Sequence, residues 1–320
     1  MTTNEVVQIA RNAHPTQHKT TIAEVVLRGL DLVERLMLDV TSSDVNVLKE
    51  ASHHILKAGG KRIRPQLVLL SYLALGGHDI EYAVPVAAAV ELVHTASVVH
   101  DDINDHGIIR RGRPSVNSIW GRTFALLTGD YLFTKVYELM APYQDANVLL
   151  AEGTVALVEG ETLQAAAVKD NNLTRETYMR IIDRKTAALF KSGAQLGAHL
   201  VGATDEQMRL MGEFGYNIGL AFQIVDDILD LTGSDEQLGK TSGIDREQGK
   251  GFASVNDDAI ADSVLETLHE KLSDEETIAR GRAEAEALVA AAISALDGIP
   301  ESPARSELVQ LGNLVIARTK

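Results

Sequence analysis

Apolar residues recur along most of this chain at the three- and four-residue spacing of an amphipathic helix, not at the two-residue spacing of a half-buried strand. Between Ile22 and Leu38, the positions Val25, Val26, Leu30, Leu32, Val33 and Leu36 fall on one or two faces of such a helix. Thr41, Ser42 and Ser43 supply a break and a cap before a second helix. Gly59 and Gly60 end that helix, and Pro65 is placed to open a third. Glu81 to Asp105 reads as one long buried helix, rich in Ala and Val, with its polar residues gathered at the C-terminal end. Further helices are predicted near 123–141, 146–168, 174–202, 205–232, 257–270, 274–296 and 304–317. β-branched residues occur throughout, but no sustained alternation demands a sheet. The expected fold is all-α: a single-domain helical bundle over residues 21–320 around a central cavity, after a flexible N-terminus, residues 1–20.

Composition narrows this picture. A length of 320 residues fits one large domain or two ordinary ones, and 7 prolines with no Gly/Ser-rich stretch leave no interdomain linker. Hydrophobic residues at 45% and charged residues at 23% suit a globular chain with a sizeable core. The 45 acidic against 30 basic residues give a net charge of −15, a poor match for nucleic acid or an anionic membrane. Any anionic ligand must be held by local basic clusters or by cations. The absence of cysteine excludes disulfides, thiolate metal sites and a cysteine nucleophile. Residues 1–20 lack an apolar signal core, and Glu5 with no basic run argues against a transit peptide. No uninterrupted apolar stretch reaches membrane-spanning length. A cytoplasmic location is expected.

The first chemical feature is Asp101-Asp102-Ile103-Asn104-Asp105. On a helix, Asp101 and Asp105 share a face with Asp102 beside them. Three carboxylates so close repel one another unless a cation or proton intervenes, and hard oxygen ligands suit Mg²⁺ bridging to phosphates. Asp226-Asp227-Ile228-Leu229-Asp230 repeats the spacing 125 residues later, at the end of the apolar run Gly219 to Val225. One such triplet alone is more often a solvated helix end. Two, each closing a buried-looking helix, predict facing acidic walls that hold metal and diphosphate between them.

Matching cations are present. Gly59-Gly60-Lys61-Arg62-Ile63-Arg64-Pro65 is a glycine-led basic turn in which Lys61 and Arg64 can contact phosphate oxygens, against the plainer reading of a helix end with solvated cations. Arg110-Arg111-Gly112 follows the first acidic motif, and two adjacent arginines pointing apart can serve two diphosphates. Lys185-Thr186 lies in an otherwise apolar helix, and Lys240 and Lys250 flank Gly243-Ile244-Asp245. Taken singly, each lysine reads as a surface residue. His94 stands seven residues before Asp101 on roughly the same face; it is either a packed core histidine or a hydrogen-bond donor to diphosphate. His100 is assigned no role.

Together these residues resemble the trans-isoprenyl diphosphate synthase, or polyprenyl synthetase, family. The likeness runs from Gly59 to Lys250: Gly-Gly-Lys-x-x-Arg-Pro at residues 59–65, Asp-Asp-x-x-Asp then Arg-Arg-Gly at 101–112, Phe222-Gln223-x-x-Asp-Asp-x-x-Asp through Asp230, and a tail at Gly239-Lys240 and Gly243-x-Asp245. The resemblance implies the isoprenoid synthase fold, usually a homodimer, and a Mg²⁺-dependent condensation of isopentenyl diphosphate with an allylic diphosphate. It implies that Lys61, Arg64, His94 and Arg111 hold isopentenyl diphosphate. Arg110, Lys185, Thr186, Gln223, Lys240 and Lys250 surround the allylic diphosphate. Asp101, Asp102 and Asp105 bind metal from one side and Asp226 and Asp230 from the other, with Asp227 a weaker ligand. The expected catalytic set is Asp101, Asp102, Asp105, Lys185, Asp226 and Asp230. One departure is visible: Gly251-Phe252-Ala253-Ser254 stands where the family often has Thr-Leu-Pro, which puts the start of the next helix in doubt.

Ala96 and Ser97 precede Asp101 by one turn, and both are small. In the family, bulky aromatics there resemble a floor that stops chain growth, so small residues imply a deeper tunnel and a product longer than farnesyl diphosphate, long-chain or geranylgeranyl. The plainer reading is tight helix packing. Peripheral membrane association through a lipid product is consistent with this, without a transmembrane segment. A class I terpene cyclase is the nearest rival, but has no need of the Lys61, Arg64 and Arg111 set. A squalene-synthase-like enzyme spaces its acidic motifs differently. A non-catalytic subunit of a heteromeric synthase should show damaged aspartate motifs, and both are intact.

Overall fold

The structure, a computed structural model, describes residues 20–170, 172–232 and 266–317. The expected flexible N-terminus lies outside the described residues apart from Thr20, as do Lys240, Lys250 and the departure at 251–254. Helix α1 (Ile22–Val40) opens on a capping box in which the Thr21 N–H donates to Glu24 at 2.7 Å and the Thr21 hydroxyl accepts from the Glu24 N–H. It closes at Thr41, whose hydroxyl donates to the Met37 carbonyl. The expected second cap is not made, because Ser43 accepts only the Val45 N–H and no side chain caps α2 (Asn46–Leu56).

Helix α3 (Ile63–Ala74) follows the Gly59–Gly60 turn, with Pro65 in its first turn, where a missing N–H costs nothing. Helix α4 (Ile80–Asn104) is apolar all round and packs most extensively on α6 (Arg122–Met140). By length and composition α4 could cross a membrane, although Glu91 and His94 interrupt its apolar run. However, 78% of its most apolar window is buried inside the protein, so its apolarity serves the core. The remaining helices are α5 (Val116–Trp120), α7 (Ala146–Lys169), α8 (Arg175–Ile182), α9 (Ala188–His199), α10 (Asp205–Thr232), α11 (Glu266–Ala295) and α12 (Pro303–Ala317).

Two apolar clusters form the core, one built mainly from α1, α2, α4 and α6, the other from α8, α10, α11 and α12. Helices α3 and α9 carry residues of both: Leu67 and Phe190 face one cluster, Leu69 and Leu189 the other. The bundle is all-α, as the periodicity predicts.

Three local features differ from expectation. The helix predicted over 174–202 is divided by a π segment, Asp183–Ala187, between α8 and α9. The two helices predicted at 257–270 and 274–296 are one helix from residue 266 onward, since none of Lys271, Leu272 and Ser273 breaks a helix. Finally, Ile109–Arg110 (β1) and Arg113–Pro114 (β2) pair as a minimal antiparallel hairpin.

Candidate active site

The basic turn is built by backbone conformation before any side chain acts. Gly59 and Gly60 have φ of 76° and 149°, and a Cβ on Gly60 would lie 2.9 Å from an Arg111 guanidinium nitrogen. Arg62 follows in the left-handed region at φ 47°. The Arg62 side chain turns inward: Nε donates to Glu34 at 2.5 Å, one terminal nitrogen to Glu91 at 2.7 Å, and the other to the Leu56 carbonyl at 2.9 Å. Arg64 lies with its guanidinium carbon 4.6 Å from the Phe190 ring centroid, and its Nε is buried without a hydrogen-bond partner. Burial lowers the Arg64 pKa to about 10, against the pull of Glu91 and with a further push from Arg111.

The Arg-Arg-Gly motif is the turn of the hairpin. Arg111 and Gly112 both have positive φ, 52° and 71°, as a type I′ turn requires. The two arginines part there. Arg110 donates twice to Asp102 Oδ1, at 2.8 and 2.6 Å, while Arg111 donates to the Gly59 carbonyl and so ties the hairpin to the basic turn. His94 lies on α4 in the field of these groups. Burial, then Arg64, Arg111, Arg62 and Arg110, push its pKa well below the usual histidine value. A neutral imidazole can still donate one hydrogen bond to an anion.

At the C-terminal end of α4, Asp101 is partly exposed and Asp102 is buried. Asp105 closes the helix by donating its N–H to the Asp101 carbonyl at 2.8 Å. Asp102 Oδ2 is buried with no hydrogen-bond donor, and burial raises the pKa of this carboxyl against the opposing pull of Arg110. An oxygen left bare beside two further carboxylates fits a hard divalent cation such as Mg²⁺. Among the described residues, no three acidic or imidazole groups converge on a ready-made cage.

The π segment links the two acidic motifs. Lys185 lies 3.7 Å from Asp101 Oδ2 and donates to Glu161 at 2.9 Å and to Gln164 at 2.7 Å. The next residue, Thr186, donates to Gln223 Oε1 at 2.8 Å, one turn before Asp226. Consecutive side chains therefore reach both motifs. Gly160 permits the approach, because a Cβ there would sit 2.3 Å from the Lys185 nitrogen. The carboxylates around Lys185 raise its pKa despite burial, so it is a fixed cation. Burial raises the pKa of Glu161 to about 7 against the pull of Lys185.

Asp226 and Asp230 lie four apart on α10, the first partly exposed and the second buried, and the charge of Asp226 is felt at Arg64. Asp227 is turned to different work: Tyr178 donates to its Oδ2 and Gln223 to its Oδ1, each at 2.8 Å. With both oxygens accepting, Asp227 is placed to orient Gln223, beside its expected role as the weaker metal ligand of the motif. Ser97 shares a face with His94, whose carbonyl accepts its hydroxyl at 2.8 Å. Ala96 is fully buried one turn before His100, and the His100 ring packs on Phe133 of α6. Glu91, Glu161, Gln164 and Tyr178 were not anticipated. A lone acid in an apolar helix such as α4 is itself a signal, since it must find a partner.

The polyprenyl synthetase family model matches residues 45–289. The chain is 33% identical to the octaprenyl diphosphate synthase of Escherichia coli over 323 aligned positions, covering 93% of this chain and 98% of that one. It is 37% identical to heptaprenyl diphosphate synthase component 2 of Geobacillus stearothermophilus, covering 88% and 93%. A polyprenyl synthase from Caulobacter crescentus, solved with calcium and isoprenyl diphosphate, superposes with a TM-score of 0.84 at 30% identity, covering 95% of this chain and all of that one. A decaprenyl diphosphate synthase from Rhodobacter capsulatus gives 0.82 at 32%, covering 93% and 98%.

Proposed function

The chain belongs to the polyprenyl synthetase family, and from that premise we propose that it is a catalytically competent, Mg²⁺-dependent synthase that condenses isopentenyl diphosphate with an allylic diphosphate to give a product longer than farnesyl. The observation that carries this reading is the separation of two cationic groups. Lys61, Arg64, Arg111 and the neutral His94 form a pole for isopentenyl diphosphate. Arg110, Lys185, Thr186 and Gln223 stand by the aspartates for the allylic diphosphate, with Lys240 and Lys250 assigned there by their motif. A terpene cyclase needs only the second pole. A non-catalytic subunit needs neither acidic motif, and both are intact.

Mg²⁺, when bound, neutralises charge on the departing diphosphate. Asp101, Asp102 and Asp105, with Asp226 and Asp230, would hold it. Lys185 and Arg110 orient the allylic diphosphate and stabilise it as the allylic C–O bond breaks and the bonding pair leaves with oxygen. The basic turn and His94 present the isopentenyl double bond to the allylic cation. The new C–C bond forms, and a proton leaves the resulting cation. No covalent nucleophile is needed; the apolar faces of α4 and α9 exclude water from the cation.

Product length is assigned to the small residues Ala96 and Ser97. Ala96→Phe and Ser97→Phe are expected to shorten the product, and an unchanged length distribution in both sinks the floor assignment. The exposed apolar residues Phe124, Leu127, Tyr137, Val148, Val155 and Val158 of α6 and α7 support a homodimer, to be checked by light scattering. The single domain, cytoplasmic location and any peripheral contact with membranes through the lipid product belong to the same proposal. Incubating the chain with Mg²⁺, isopentenyl diphosphate and primers of graded length tests the central reading. Condensation with none of them defeats it.

A further inference from the structure

The basic pole contains a carboxylate that substrate chemistry does not require. Glu91 sits on α4, one turn before His94, with 3% of its side chain exposed, in a helix otherwise apolar at its level. It accepts from Arg62 at 2.7 Å. Arg62 spends four of its five donors on Glu34, Glu91 and the Leu56 carbonyl, on three different elements. Arg62 therefore points away from any diphosphate, although it stands between Lys61 and Arg64. A buried ion pair is seldom the most stable way to fill a core, because a well-packed apolar pair of similar volume serves as well or better. The Glu91 charge does something an apolar pair cannot: it favours the charged forms of Arg62, Arg64 and Arg111 together. Those three guanidinium groups otherwise repel, and Arg111 is tied to the turn only through the Gly59 carbonyl.

We propose that Glu91, acting through Arg62 and with Glu34 as outer support, is a positioning residue. It holds the Gly59–Arg64 turn and Arg111 in the arrangement that receives isopentenyl diphosphate, before the substrate arrives. The proposal rests on the condensing role argued above.

Two explanations of Glu91 predict opposite signs. If it acted only as a charge near an anion site, Glu91→Gln would remove repulsion and tighten diphosphate binding. If it positions the arginines, the same change loosens the turn and weakens binding. Calorimetry with isopentenyl diphosphate alone, which cannot react without a primer, reads this directly. A loss of about tenfold or more is expected for Glu91→Gln and for Arg62→Met. In steady state, KM for isopentenyl diphosphate should rise while KM for the allylic primer stays near its original value, and Glu91→Asp should restore part of the loss. Because Glu91→Gln risks unfolding, Glu34→Gln at a half-exposed position provides a milder version, with the same direction and a smaller size. Unchanged or tighter binding in folded Glu91→Gln or Arg62→Met protein overturns the inference, as does an equal rise in both KM values. Failure of the unaltered chain to condense any primer would instead overturn the reading beneath it.

Discussion

The basic and acidic poles of the site are finished to different degrees. At the basic pole, Arg62 gives four of its five donors to Glu34, Glu91 and a backbone carbonyl, and Arg111 is fixed to Gly59. At the acidic pole, Asp102 keeps a buried oxygen without a donor, and Asp101 lies 3.7 Å from Lys185 and against Glu161. The first pole balances its cations with a buried anion, although Arg64 keeps one buried N–H without an acceptor. At the second, carboxylates outnumber the cations Arg110 and Lys185, and burial raises the pKa of Asp102. On the proposed reading, the basic pole is preorganised for one diphosphate and the acidic pole receives the other with metal.

The strongest way to break that comparison is at Asp102. Asp102→Asn keeps an oxygen for Arg110 but places an amide where the bare Oδ2 stands. Turnover at saturating Mg²⁺ should fall by about 10²–10³, while thermal stability holds or rises because a strained buried carboxylate is gone. Near-normal turnover in Asp102→Asn would mean that the bare oxygen has no part in binding metal.

Gly160→Ala tests the link between the two acidic motifs without touching a charge. The added methyl group collides with the Lys185 backbone. A displacement of about 1 Å should cost on the order of tenfold to a hundredfold in kcat. The basic pole lies elsewhere, so calorimetric affinity for isopentenyl diphosphate should hardly change. Equal losses in both measurements would show that the two poles are not separable.

These two sites also show what the sequence does and does not reveal. The helices, the polar end of α4 and the acid–arginine spacing follow from local pattern: apolar residues every three or four positions, and motifs whose members lie within a dozen residues. The π segment does not, since Asp183–Ala187 has no period of its own and its register is set by contact with Gly160 and Gln223. The hairpin is too short for alternation to mark it, although Gly112 in its turn is a trace. Partners such as Glu91 for Arg62, or Tyr178 for Asp227, are separated by 29 and 49 residues and are chosen only when the helices pack. The Tyr178 and Gln223 contacts of Asp227 likewise arise from tertiary packing, because three identical side chains carry no local mark of which one they will meet.

Tyr178→Phe probes those contacts at a smaller scale. It leaves the buried Asp227 carboxylate without one of its donors, and stability should fall by about 1–3 kcal/mol. In Asp227→Asn the buried charge is gone, so the same Tyr178→Phe change should cost less. Denaturant titrations of the four proteins in this cycle give the coupling. Additivity within about 0.5 kcal/mol would mean that the two side chains do not act as a unit.

The smallest effect expected is a pH dependence at the basic pole. His94 is held neutral by burial and by Arg64, Arg111, Arg62 and Arg110, so its folded pKa lies below that of the unfolded chain. A base depressed in this way stabilises the fold fully above the unfolded value, near ~6.5, and that contribution declines as pH falls below it. His94→Gln removes the titration and keeps an amide donor. Between about pH 6.5 and pH 5 the unaltered protein should therefore lose stability relative to His94→Gln, by about 1.4 kcal/mol for each pH unit once the unfolded histidine is largely protonated and the folded one is not. Parallel melting curves for the two proteins through that range would show that the four arginines do not hold His94 neutral. The basic pole would then be less fully preformed than its internal bonds imply.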